Sequence, residues 1–167
     1  MNKPITATTE RRKLLRHFLA ALAYRTQKAL RGMPEGFDKF QAGSGVRTPH
    51  QLICHMMSVL GYARTFFTGG TFPPPKPTDW KKDLTAFHEL LEDLGKHLDS
   101  DAPLADTTEE RILQGPFADA MTHAGQLAML RRLAGSPVQS ENFIKAAIQP
   151  DNLSPDQPDP VAPDFPE

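Results

Sequence analysis

Asp119 and His123 stand four residues apart in GPFADAMTHAGQLAMLRRLAG, residues 115–135. On a helix that spacing places a carboxylate and an imidazole one above the other on a single face. His55 lies far upstream, on another segment with helical periodicity. If that segment turns His55 inward beside the pair, two imidazole nitrogens and one carboxylate oxygen can hold a divalent cation and leave coordination positions open. An open position is where a metal activates water or another nucleophile. The same residues have a plainer reading: an Asp–His hydrogen bond on a helix shoulder, with His55 a hydrogen-bonded core residue. In that case a carboxylate near the core needs a different partner or water.

Positioning these side chains requires two helices with defined ends. Pro116 fits a first helical position and Gly135 a C-terminal stop, with Arg131 and Arg132 where cations favour the helix end. The inward stripe runs from Pro116 through Asp119, Ala120, His123, Ala124 and Leu127 to Leu130 and Ala134. Upstream, Thr48 is the expected N-cap, Pro49 the first helical residue, and Gln51 completes a capping box. Leu52, His55, Val59, Tyr62, Ala63 and Phe66 then follow an inward arc, whereas His50 falls at the exposed beginning and points elsewhere. Gly69 and Gly70 end this segment, and FPPPKPTD makes an extended crossing that cannot continue a helix.

The remaining chain supplies the rest of a bundle. Thr8 or Thr9 caps a helix from Arg11 to about Arg31, with Leu14, Leu15, Phe18, Leu19, Leu22 and Leu30 on its broad apolar side. Residues 34–47 form a connection that shapes a pocket mouth, held by Phe37 and Phe40. Thr78 or Asp79 caps a third helix whose stripe is Leu84, Phe87, Leu90, Leu91, Leu94 and Leu98, with His88 and His97 on its shoulders. Thr107 with Glu110 predicts a short turn through Leu113, and Gly115 interrupts before the fourth long helix. Ser140 caps a short final helix through Ile148, docked by Phe143, Ala147 and Ile148. Four amphipathic segments bury their stripes most economically as an all-α four-helix bundle over residues 1–148. Residues 149–167, with six prolines, form an irregular tail that is either mobile or draped over the body.

Composition narrows the function classes. The 167 residues suit one domain, and a hydrophobic content of 39% supports a packed core. The tail carries a formal charge of −5 and contains no Lys or Arg, which leaves +4 on residues 1–148 against −1 for the whole chain. That excess is mild. The run Arg11, Arg12, Lys13 and Arg16 reads as a solvated helix face, and no aromatic interleaving or zinc-finger spacing points to nucleic acid. The apolar patterns are broken by charges or glycines, so no membrane span is expected. A single cysteine, Cys54, and an N-terminus without an apolar signal segment favour the reducing cytoplasm. Cys54 itself is turned about 100° from His55 and reads as a small buried side chain. Tyr24, Arg25 and Arg64 can reach a pocket or simply pack, and Met57, Met129 and Leu133 can face a second bundle or belong to the core.

The ordered pair RTPHQLICHMMSVLGYARTFF and GPFADAMTHAGQLAMLRRLAG resembles the DinB/YfiT-like metal-binding superfamily, over most of residues 8–148. The resemblance implies a DinB-like four-helix bundle. It also implies a metal held by a histidine of the second helix and an H-x-x-x-H pair near the start of the helix bearing the GQ segment, which here are His55, Asp119 and His123. Asp119 departs from the histidine usual at its position. A carboxylate still ligates, and it lowers the charge of the site by one unit. The implied function is a divalent-metal enzyme, with zinc, nickel or iron expected, acting on a small molecule as a hydrolase or a low-molecular-weight-thiol transferase. The alternative is a stress-associated or homodimeric interaction protein whose metal site is structural or vestigial.

Overall fold

The computed structural model describes residues 7–161 and contains helices but no strand among them. Helix α1 spans Ala7–Leu30, α2 Pro49–Thr68 and α3 Trp80–Asp99. The fourth rod consists of α4 (Glu109–Ile112), a π-helical turn (Leu113–Phe117) and α5 (Ala118–Leu133). Helix α1 packs on α3 and α5, and α2 also packs on α3 and α5, so α1 and α2 occupy opposite corners of a four-helix bundle. The core lies between the rods and includes Leu19, Leu22, Ile53, Met56, Leu60, Phe87, Leu91, Phe117 and Leu127. No helix of the described residues is long and apolar enough to cross a membrane.

The start of α2 is fixed by its caps. The Thr48 hydroxyl accepts from the Gln51 backbone N–H, the Gln51 side chain accepts from the Thr48 backbone N–H, and Pro49 opens the helix. The Asp79 carboxylate caps α3 by accepting from the Lys82 N–H. The extended segment between them lies tightly on α2, because a Cβ on Gly61 would stand 2.1 Å from the Phe72 ring. Glycine at 61 permits that approach.

Several expectations are corrected. Helix α1 already runs at Ala7, so Thr8 and Thr9 lie inside its first turn rather than capping it. Leu14 is 72% exposed and Tyr62 57%, each off the buried arc assigned to it, whereas Met57 is buried in the core. Thr108, not Thr107, caps α4, and Gly115 does not interrupt the rod. Pro116 brings no N–H to the ladder, and the π turn accommodates it. The buried stripe therefore steps five residues, from Ile112 to Phe117, before resuming three- and four-residue steps at Ala120, His123, Ala124 and Leu127. Phe117 takes the inward place assigned to Pro116.

The final helix predicted over 140–148 reduces to a 3-10 turn at Phe143–Lys145, capped by Asn142 rather than Ser140. Glu141 is drawn into the bundle instead, accepting from the Tyr24 hydroxyl at 2.6 Å and from Lys28 at 2.8 Å. Residues 149–161 contain no helix, and Leu153 is buried with the core while its carbonyl meets His88 Nδ1 at 2.8 Å. The last two acids of the tail, Asp164 and Glu167, lie outside the described residues. The basic run is matched from within the chain: Arg12 is buried against Glu109 at 3.0 Å and the Ser100 carbonyl at 2.7 Å, Arg11 meets Glu110, and Arg16 meets Asp99. Arg131 is buried too, and its guanidinium donates to the carbonyls of Ala29, Arg31 and Gly32, closing the end of α1.

Candidate metal centre

His55 from α2 and Asp119 and His123 from α5 meet at the seam between the two helices, with candidate ligand atoms within 4.8 Å of one another. The capping box sets where α2 begins and hence which turn carries His55. The π turn immediately before α5 sets the face on which Asp119 and His123 lie, and from Ala118 onward the ordinary four-residue spacing stacks them. Asp119 Oδ1 is 3.2 Å from His123 Nε2, and Asp119 Oδ2 is 3.7 Å from His55 Nε2. The two imidazole rings stand edge to face with centroids 4.6 Å apart.

The two ring nitrogens of His123 stand in different surroundings. His123 Nε2 is buried and makes no hydrogen bond with the described residues, although the Asp119 carboxylate lies within reach. Nitrogen and oxygen are close but misaligned for a proton between them, as expected when both lone pairs address a third point. Around a cation with bonds of about 2.0–2.1 Å, tetrahedral ligand atoms stand about 3.3 Å apart, close to the 3.2 Å and 3.7 Å seen here. On the far side of the ring, His123 Nδ1 donates to Gln126 Oε1 at 2.8 Å. That bond places the proton on Nδ1 and leaves the Nε2 lone pair for a cation. Gln126 escaped the sequence reading, although its three-residue step from His123 was the available signal.

Electrostatics favours a neutral His55. Burial, then the Arg47 guanidinium and His123, hold the His55 pKa below the usual histidine value, against the opposing pull of Asp119. Asp119 is 45% exposed at its side chain and His123 only 7%, so the centre has a buried back and an open front. A divalent cation fits this donor set, with room left for a further ligand.

A second group of ligand-type side chains, His50, Cys54 and Asp83, joins the first turns of α2 to α3. His50 is buried here rather than exposed, because its Nε2 lies 2.7 Å from Asp83 Oδ2 and the edge of Trp80 packs on its ring. Asp83 also accepts from the Thr78 backbone N–H at 2.9 Å and from the Thr78 hydroxyl. Burial works against ionisation of Asp83, yet the hydrogen bonds from Thr78 and His50 keep its carboxyl below the usual range. Cys54 is buried, and desolvation followed by the Asp83 charge pushes its thiol up to about 11. Both clusters carry donors that a divalent cation accepts, but the Asp83 lone pairs are already engaged. This second cluster pins α2 to α3.

The remaining candidates fall elsewhere. Tyr24 bonds Glu141, the Arg25 guanidinium sits 3.7 Å above the Phe143 ring, and Arg64 pairs with Asp93. His88 is buried against the tail, and His97 stacks on Phe67. None of these belongs to the His55 cluster. In comparisons with known proteins, the chain matches no family model, no curated protein and no solved structure.

Proposed function

We propose that His55, Asp119 and His123 hold a divalent cation, and that the chain is a DinB/YfiT-like metal-dependent enzyme acting on a small molecule as a hydrolase or low-molecular-weight-thiol transferase. The observation carrying this reading is the buried His123 Nε2, without a hydrogen-bond partner among the described residues, beside a carboxylate and a second imidazole. When bound, the cation supplies Lewis acidity that makes a water or thiol more nucleophilic at neutral pH. Gln126 orients His123, and the apolar packing of Ala120, Ala124 and Leu127 fixes the helix that presents it. Asp119 reduces the net positive charge of a divalent site by one unit relative to a three-histidine set. The exposed side of Asp119 and His55 is where substrate reaches the centre.

Purified protein is expected to retain about one divalent ion per chain, identified by anomalous scattering. His55→Ala and His123→Ala are expected to lose it while helical circular dichroism persists. Equal metal content in all three proteins would refute the ligand assignment. Turnover by the metal-loaded protein in a panel of ester, amide and thiol-transfer reactions tests the enzymatic part, and its absence across a broad panel would favour an interaction protein.

A further inference from the structure

Beside the metal centre runs an open groove of about 690 Å³, within the size range of small-molecule sites. One wall comes from α2 and α5, and the other from the end of the connection that leads into α2. Leu52 lies one turn before His55, while Gln126 lines the groove and bonds His123 directly. Met129, Leu130 and Leu133 follow Gln126 at steps of three, four and seven, so the groove floor continues along the same helix face that carries the centre. Met129 is 54% exposed and Leu133 59%, which is unusual for large apolar side chains lying side by side.

The charge on this surface is one-sided. Arg47 lines the groove together with Met129 and Leu133; among the described residues it has no ion pair or hydrogen bond, and no carboxylate lines the groove. The influence of Arg47 also reaches the centre, where its charge acts on His55. Other arginines of the bundle are engaged: Arg11, Arg12, Arg16, Arg64 and Arg131 all have acid or carbonyl partners. An exposed guanidinium beside an apolar floor, in a groove with no carboxylate among its described lining residues, complements a ligand that has one anionic end and an apolar body.

We propose that this groove binds a small amphipathic carboxylate, its anionic head on Arg47 and its apolar body along Val46, Leu52, Met129 and Leu133, with one end lying next to the metal centre. Describing this ligand as the substrate rests on the metal-centre reading above; its binding in the groove does not. The head is a carboxylate rather than a polyanion because a single guanidinium faces it, in the forked geometry that matches two oxygens.

The test uses octanoate and its uncharged analogue octanamide, with the full-length protein carrying ¹³C-methyl methionine, in metal-loaded and chelator-treated forms. The Met129 methyl reports on the groove, and the fully buried Met56 serves as internal control. Octanoate is expected to shift the Met129 resonance saturably in both forms while Met56 stays in place. Octanamide and the Arg47→Gln variant are each expected to bind at least about tenfold more weakly, because each removes the charge-assisted hydrogen bond. Equal binding of octanoate and octanamide, or of octanoate by wild type and Arg47→Gln, overturns the proposal. So does a wild-type dimer in sedimentation that Leu133→Glu converts to monomer, which would assign the apolar face to a second copy. Metal content measured on the same samples separates the two claims: retained metal without Arg47-dependent binding sinks the groove alone, and binding without retained metal sinks the metal reading alone.

Discussion

Replacing Gln126 by leucine should weaken metal binding without weakening the fold. The Gln126 side chain is exposed and its resolved role is to accept the Nδ1 proton of His123 at 2.8 Å. Removing that acceptor frees the ring to change tautomer, which would put the proton on Nε2, the atom facing Asp119. Loss of such an outer partner typically lowers metal affinity 10- to 100-fold, or about 1.4–2.8 kcal/mol. Folding stability should change by no more than about 0.5 kcal/mol, as is usual for an exposed substitution. Gln126→Glu should move the other way, since a carboxylate accepts the same proton more strongly. Competition against a chromophoric chelator measures the affinities, and thermal unfolding of the metal-free variants measures the fold. Equal affinity in wild type and Gln126→Leu would refute the claim that Gln126 presents His123 to a cation, and a large drop in metal-free stability would mean that Gln126 serves packing instead.

Two further predictions concern the C-terminal segment. Glu141 has no solvent-exposed side-chain surface and meets both Tyr24 and Lys28, so Glu141→Ala should destabilise the fold by about 3–5 kcal/mol, the cost of leaving a buried charge unpaired; chemical denaturation measures it, and a loss under about 1 kcal/mol would show the network to be dispensable. Burial holds the His88 pKa below the usual histidine value, partly offset by the bond to the Leu153 carbonyl and by Glu92. The unfolded chain thus binds a proton at a higher pH than the folded one, so stability is full above about pH 6.5 and falls as pH drops from there toward the folded-state value. His88→Phe should flatten that slope in urea unfolding between about pH 5 and 7, and an unchanged slope would assign it to other groups.

The parts of this fold that were legible in sequence are those set by neighbours along the chain. Thr48, Pro49 and Gln51 specify the start of α2 because both hydrogen bonds of the capping box and the helix-opening proline fall within four consecutive residues. The α3 stripe reads correctly from Phe87 to Leu98 for the same reason: periodicity is local. What escaped depends on partners distant in the chain. His50 is buried because Asp83 is there to receive it, Arg12 because of Glu109, and Arg131 because α1 ends beside it with carbonyls to satisfy. A Ser140 cap and the apolar edge of Phe143, Ala147 and Ile148 suggested a helix over 140–148, but burial of Glu141 against Tyr24 and Lys28 sets the backbone path there instead.

The meeting of His55, Asp119 and His123 survives these misreadings for a geometric reason. The error in the fourth rod is confined to residues 113–117, where a π turn adds a residue to the repeat and rotates everything before it relative to everything after. Asp119 and His123 both lie after that offset, inside a regular α-helix, so their mutual placement is independent of it. Their direction relative to α2 does depend on it, because Phe117, buried one step later than Pro116 would have been and stacked on Phe18 of α1, fixes the rotation of the rod about its own axis. A pair of ligands on one helix can therefore be inferred from spacing, while the third requires the rotation between two helices, and here a single unusual turn sets that rotation.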